Sequence, residues 1–416
     1  MHLSMKNYDF YHGLLNKYNL GDVFTPSTSA GLTYINRDKL EESLDRSLRM
    51  PGKQIILYGP SGSGKTTLLR KLLKDTNANY KTIHCSTGLK YQDLIKQAFD
   101  AIDSYYLTTQ KYSSTFGMSN SLGSGVFQTD ISTTDDKQYV RVLPPQLSIG
   151  NLAQLYGKGK CILIIDDLHK MKIDEKKNIV DVMKLFVDEA HKYPELKIIC
   201  IGDDGLAGEL IHIESNLTSS VSQIKVPLLH NSELKSMISL GCELLNIEMS
   251  QELISNIVYM SNNVASVAHQ LCYNICRADK IKFTRFKRKK IKDDVVLCAV
   301  NDFVNTNLQE FVKIYKDVTR DSLGWYILKT FIVSKKGKLN LEEIKTGVCM
   351  GGRTYSINLI IDKLNELSQK PYDIIHYDSN SSHYNISNPF WGVFLKMQLG
   401  NKKGNKITNG NLTKSN

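Results

Sequence analysis

Gly59-Pro60-Ser61-Gly62-Ser63-Gly64-Lys65-Thr66 decides the fold of this 416-residue chain. The octamer fits the pattern G-x-x-x-x-G-K-[ST] at every fixed position. Before it, residues 54–59 form a short apolar run ending in glycine, which predicts a buried parallel strand. After it, leucines at 68, 69, 72 and 73 predict a helix from Lys65 to Lys74 packed on a sheet. A glycine-rich turn between strand and helix lets backbone N–H groups face an anion with no Cβ in the way. The helix adds the positive end of its dipole. Such a turn binds the phosphates of a nucleoside triphosphate, here ATP, with GTP as the alternative. Lys65 reaches the β- and γ-phosphate oxygens, and the Thr66 hydroxyl ligates Mg2+. Gly59, Pro60, Ser61, Gly62, Ser63, Gly64, Lys65, Thr66 and Thr67 are the cofactor-binding set.

A second segment belongs to the same chemistry. Residues 161–166 (Cys-Ile-Leu-Ile-Ile-Asp) read as a buried strand that delivers Asp166 and Asp167 at its C-terminal edge, where open α/β sheets bind ligands. Asp166 would hold Mg2+ through water, and Asp167 would orient or deprotonate the attacking water. Lys65 and Asp167 are the catalytic candidates; Thr66 and Asp166 are the metal candidates. His169 could contact metal-bound water or simply open a helix.

Further strands are predicted at 80–85, 197–202 and 223–228, with helices over 90–102, 147–156 and 174–190 between them. Strands alternating with helices imply a five-stranded parallel α/β sheet covered on both faces. Residues 103–137 hold 16 Ser, Thr or Gly in 35 positions and read as a flexible insert. From 231 the pattern is helical, with Val264, Val267, Ala268, Leu271 and Ile275 on one stripe. Helices near 295–315, 321–333, 340–347 and 353–368 and strands at 372–377 and 382–387 make a smaller α+β unit. On the helix 353–368, Ile357, Ile360, Ile361, Leu364 and Leu367 are expected to face the core.

The formal charge of +11 is localised. Residues 281–416 carry 23 Lys and Arg against 12 Asp and Glu, and 1–280 balance at 30 of each. Within that part, 281–292 holds seven cations and no acid, with Phe283 and Phe286 among them, and 396–416 holds five cations and no acid. The run 281–292 could track a phosphate backbone and stack bases, or be a solvated linker face or a docking strip for an acidic partner. Scattered single cysteines read as free thiols in a reducing compartment. Cys272 and Cys276 share a helical face but lack histidines at ligand spacing. No apolar run reaches 18 residues, and the N-terminus lacks a signal-peptide pattern, so a cytoplasmic protein without a membrane partner is expected.

A Lys-Thr phosphate loop, an Asp-Asp strand, a further strand, a helical lid and a small terminal unit resemble the AAA+/STAND class of P-loop ATPases. The nearest forms are origin-recognition-like and archaeal-type ATPases with a C-terminal winged helix, and the resemblance covers residues 20–395. It implies an N-terminal approach segment (1–46), an ATPase core (47–230), a helical lid (231–280) and a winged-helix-like domain (293–395); charge and composition add a basic arm (281–292) and a disordered basic tail (396–416). It also implies that Val23 to Pro26 and Arg37 lie near the base and phosphates, and that Asp203 stands where a polar residue senses the γ-phosphate. Asn388-Pro389-Phe390-Trp391 looks like the closing segment of the terminal unit.

The departures from that pattern bear on turnover. No arginine lies between Arg141 and Arg277, and Ser266 falls where a sensor arginine would stand. An arginine finger contributes about three to five orders of magnitude in rate. Either hydrolysis is slow, a Lys substitutes, or a partner supplies the arginine; the resemblance then implies a slow or partner-activated switch, governing self-association or a separate effector, as in multi-gene defence or mobile-element systems. A DNA-associated loader or targeting ATPase, of replication-initiator or transposition-helper type, is the alternative. A structural protein with a vestigial loop is disfavoured, because Lys65, Thr66, Asp166 and Asp167 occur together.

Overall fold

A computed structural model describes residues 17–26, 31–102, 148–292, 295–334, 336–349, 354–379 and 381–400. The insert 103–137, the segment 140–145 and residues 401–416 lie outside these. The described chain forms two compact units. One comprises the described residues of 37–59 and 68–226; the other comprises the described residues of 1–36, 60–67 and 227–400.

The first unit is a parallel five-stranded sheet: β1 (Gln54–Tyr58), β2 (Asn79–His84), β3 (Cys161–Asp166), β4 (Lys197–Gly202) and β5 (Val221–Lys225). The spatial order is β2-β3-β4-β1-β5, every neighbour pair parallel. Strands β3 and β4 are buried at every position because both faces of the sheet are covered. One face packs Leu68, Leu69, Leu72 and Leu73 of the helix Lys65–Asp75 with Leu44 of the helix Asp38–Arg49. The other packs the helices Tyr91–Asp100, Ile149–Lys158 and Ile173–Glu189.

Strand order reverses at β1. The chain leaves β1 for the far edge at β2, returns through β3 and β4, and then crosses β1 to β5. A crevice beyond the carboxyl ends of the strands at such a switch point is where open α/β sheets bind ligands. The octamer Gly59–Thr66 begins there.

The fifth strand lies two residues earlier than the expected 223–228. Its pairing with β1 runs from Gln54–Val221 to Tyr58–Lys225, and Pro227 has no N–H to continue the ladder. At the start of β4 the Lys197 side chain is 2% exposed and donates from Nζ to the carbonyls of Met50 and Lys53. Burial pushes its amine down to about 8.

The second unit holds three helices, Asn231–Leu245, Gln251–Met260 and Ala265–Ala278. Val264, Val267, Ala268, Leu271 and Ile275 are all buried, as their spacing predicts. The expected helix 295–315 is two helices, Val295–Asn307 and Gln309–Val318, broken at buried Leu308. Next come the helix Ser322–Val333, β8 (Lys338–Leu339), the helices Leu341–Cys349 and Ile357–Ser368, β9 (Ile375–Asp378) and β10 (His383–Ile386). The sheet order is β8-β10-β9, and the two-residue β8 carries no sequence signal of its own. Of the expected stripe on Ile357–Ser368, Ile360, Leu364 and Leu367 are buried, whereas Ile357 is exposed.

The tail assignment is also corrected. The helix Pro389–Gly400 takes in the first five residues of 396–416, and Met397 is buried with Trp391, Phe394 and Leu395. Residues 281–292 do not form a free linker either. Ile281 and Ile291 are buried, and Lys289–Lys290 (β7) pair in parallel with Ile247–Glu248 (β6). Among the described residues no helix is long and apolar enough to cross a membrane.

Candidate nucleotide site

The phosphate loop belongs to the second unit, and its backbone is set by glycine. Gly62 has φ +78° and Gly64 φ +88°, a region that side-chain-bearing residues rarely adopt. A Cβ on Gly62 would stand 2.6 Å from Val264 Cγ1 and 3.9 Å from Ser266 Oγ. The loop therefore packs directly on the first turn of the helix Ala265–Ala278. At Gly64 a Cβ would meet nothing within 4 Å, so its side of the loop is open. The Lys65 amine donates to the Pro60 carbonyl at 3.0 Å, and the Ser63 N–H donates to the same oxygen at 3.2 Å. Thr66 and Thr67 follow in the first turn of the helix Lys65–Asp75, half-buried. At the end of β1, a Cβ on Gly59 would stand 2.2 Å from the Val226 carbonyl oxygen.

Two consecutive left-handed asparagines precede Val264. Asn262 (φ +47°) donates from Nδ2 to the Pro389 carbonyl at 3.0 Å, at the start of the last helix. Asn263 (φ +66°) donates to the Leu229 carbonyl at 2.6 Å. The turn 261–264 thus holds the phosphate loop on one side and the helix Pro389–Gly400 on the other. The expected stretch Val23 to Pro26 is in the same unit. Val23 and Phe24 are fully buried, the Thr33 hydroxyl donates to the Val23 carbonyl at 2.9 Å, and the Thr25 N–H donates to His269 Nδ1 at 3.1 Å. Burial lowers His269 to about 4, which keeps the ring neutral and able to accept that bond. The Thr25 hydroxyl is buried with no hydrogen-bond partner among the described residues.

The carboxylates are in the sheet unit. Asp166 ends β3 opposite His84, whose Nδ1 lies 3.7 Å from its Oδ2, and its Oδ1 accepts the Asp167 N–H at 2.9 Å. Burial raises the Asp166 carboxyl, and the adjacent Asp167 charge raises it further; the Asp167 N–H, His84 and Arg70 oppose this. Asp167 sits at φ +61°, and its Oδ2 pairs with Lys170 Nζ at 2.5 Å. Its Oδ1 has no partner among the described residues. His169 Nδ1 is buried without a hydrogen-bond partner among the described residues. Arg37, half-buried, precedes the helix Asp38–Arg49 and donates its backbone N–H to Glu41 at 2.8 Å. Asp203 is exposed and its Oδ1 accepts the Gly205 N–H at 3.2 Å, closing a turn.

The loop residues suit a polyphosphate, and the two carboxylates, taken by themselves, suit Mg2+. The open side of Gly64 is the space a Cβ would occupy, and hydroxyl and carboxylate oxygens are the donors a hard divalent cation takes. Two adjacent carboxylates, one of them raised by burial, would be relieved by a cation bound between their oxygens. Sequence reading missed the contact between Val264 and Gly62, the Asn262 bond and the Thr25–His269 bond. The one local signal was the pair Asn262-Asn263, since asparagine tolerates a positive φ.

Residues 34–262, more than half of the chain, match the family described as an ATPase domain predominantly from Archaea. An uncharacterized protein of Staphylococcus saprophyticus is 39% identical over 66 residues, which span 16% of this chain and 25% of that relative. The Walker-type ATPase of Pyrococcus abyssi is similar in fold, with a TM-score of 0.53 at 16% identity over 87% of this chain and 96% of that one. The ORC2 protein of Aeropyrum pernix, solved in ADPNP–ADP complexes, has a TM-score of 0.49 at 12% identity over 91% of this chain and 98% of that one. With an intact G-x-x-x-x-G-K-T motif and a family match that takes in the sheet unit and the first of the helices that follow, this chain belongs to the archaeal-type ATPase domain family.

Proposed function

We propose that this ATPase works as a slow, Mg2+-dependent switch whose nucleotide state governs self-association or the engagement of a separate effector protein. Lys65 would hold the β- and γ-phosphates, and Thr66 and Asp166 would hold Mg2+, which when bound supplies charge neutralisation at the phosphates. Asp167 would orient the attacking water through its Oδ1, with Oδ2 kept by Lys170. Arg37 and the stretch 23–26 would lie toward the phosphates and the base.

One observation carries the switch reading: the same turn touches the loop at Gly62 through Val264 and bonds the last helix through Asn262. A change of occupancy at the loop that moves Val264 has a direct route to the helix Pro389–Gly400. Slow turnover is supported by what stands beside Gly62. Ser266 offers a neutral hydroxyl where a guanidinium would offer a fixed charge.

The helices and hairpin of 322–386 are read as a winged-helix-like clamp. Lys363 on the helix Ile357–Ser368 is tied to Asp321 at 2.7 Å and Glu366 at 2.9 Å, so that face is a poor phosphate reader. Light scattering of the full chain tests the switch. Mass or hydrodynamic radius should differ between ATP and ADP, and Asn262→Ala should blunt the difference. Identical values in both nucleotides would sink the switch reading.

A second reading, a DNA-associated loader or targeting ATPase, is favoured by the solvent-facing cations of 282–292.

A further inference from the structure

The segment 281–292 is a fixed loop with projecting side chains, and its fixing is done by backbone and small polar groups. Leu20 N–H donates to the Lys282 carbonyl at 2.9 Å, Thr284 N–H to the Tyr18 carbonyl at 3.0 Å, and Arg285 N–H to the Leu245 carbonyl at 2.9 Å. The Thr284 hydroxyl accepts the Tyr18 N–H at 3.0 Å and donates to the Leu244 carbonyl at 2.9 Å. At the apex, Asn246 Nδ2 donates to the carbonyls of Arg285 and Phe286, at 2.9 and 3.4 Å. The chain returns through Ile291 N–H, which donates to the Glu248 carbonyl at 2.8 Å.

What this scaffold presents is specific. Phe286 is 86% exposed at the apex, flanked by exposed Arg285, Lys287 and Arg288. Phe283 is 42% exposed, with Lys17 Nζ 4.6 Å from its ring centroid. Two of the seven cations are taken up within the unit: Lys289 pairs with Asp279 at 3.0 Å, and Arg288 stands 3.9 Å from Glu248. Lys282, Arg285, Lys287, Lys290 and Lys292 have no carboxylate partner among the described residues.

We propose that this loop binds single-stranded nucleic acid, with the five free cations along the phosphates and Phe286 stacked on a base. The inference rests on the second reading above and adds the class of nucleic acid and the residue that selects it. A bare aromatic ring held at the centre of a cationic loop matches a ligand that offers phosphates and unstacked base faces together. In duplex DNA those faces are covered by neighbouring pairs. An anionic bilayer would match the charge, but of the loop's two exposed rings Phe283 is more than half covered and carries Lys17 Nζ over its face, which leaves Phe286 as the one bare ring of this loop. Because the backbone is already pinned, little ordering entropy opposes binding.

Anisotropy of a labelled oligothymidylate of about 20 nucleotides, titrated with the full chain over a salt series, tests this. Five phosphate contacts predict a log–log salt slope near −3.5, and Lys282→Gln/Arg285→Gln/Lys287→Gln should reduce its magnitude by about 2. Phe286→Ala should weaken binding by roughly tenfold with the slope unchanged, and Phe286→Tyr should keep wild-type affinity. Phe286 contacts solvent, so the melting temperatures of these variants should equal the wild type.

Three outcomes would overturn the proposal, and they are distinguishable. If the charge variant weakens binding while Phe286→Ala does not, or if a hairpin duplex binds as tightly, the stacking inference fails and the DNA reading stands. If the oligonucleotide binds with no dependence on either variant, or fails to bind at low salt, both fail. If the loop instead sediments with phosphatidylserine vesicles and ignores the oligonucleotide, the ligand is a membrane.

Discussion

Acidification should loosen the second unit through one residue, His269. The ring is 3% exposed, stacked edge-on to Phe24 at 6.1 Å, and accepts the Thr25 N–H on Nδ1. Burial lowers it to about 4 from an ordinary 6.5, so between these values the unfolded chain takes up a proton that the folded chain refuses. Its contribution to stability is therefore complete above pH 6.5 and is lost as pH falls toward 4. The linkage amounts to about 2 kcal/mol at pH 5 and roughly 3 kcal/mol at full protonation. His269→Gln keeps an acceptor for Thr25 and removes the titration. Urea unfolding of both proteins, followed at Trp391 fluorescence from pH 7.5 down to about 4.5, should show the wild type losing stability faster, with the gap widening by about 2 kcal/mol at pH 5. Parallel pH curves would refute the buried neutral histidine and the strap it makes with Thr25.

Two further outcomes are expected. Ala at Gly62 and at Gly64 should each add about 1–2 kcal/mol of backbone strain, but only Gly62→Ala also pushes on Val264, so its melting temperature should fall further; equal losses would contradict the packing of the turn 261–264 on the loop. Lys197→Met should abolish a rise in stability between about pH 8 and 10.5 that wild type shows, because the buried amine is charged below its folded value and the unfolded chain stays charged to 10.5; thermal unfolding of both proteins across that range checks this.

Much of the sheet unit was legible because burial on two faces leaves a plain signal. Residues 161–165 and 198–201 are unbroken apolar runs, and the strands Cys161–Asp166 and Lys197–Gly202 that contain them have the expected bounds. The fifth strand slipped by two residues because Val226 and Leu228 extend the apolar run past the end of its partner, β1. Charge in 281–292 was equally visible, but its anchoring was not. Most anchors are backbone groups of Tyr18, Leu20 and Leu245, which carry no residue-type signature, and the Asn246 and Thr284 side chains that add to them stand in no recognisable pattern. The loop residues Gly59 to Thr66 were readable from pattern alone, since that chemistry requires glycine at fixed places. Their contact with Val264 was not, because it joins residues some two hundred positions apart through a methyl group.

The central claim is that Gly59–Thr66 grips the phosphates of ATP. Isothermal titration of the full chain with ATP and Mg2+, wild type against Lys65→Ala, tests it most directly, with circular dichroism confirming that the variant is folded. A phosphate grip at this loop gives a measurable heat of binding in the wild type and none in the variant. Unaltered ATP affinity in Lys65→Ala would contradict it.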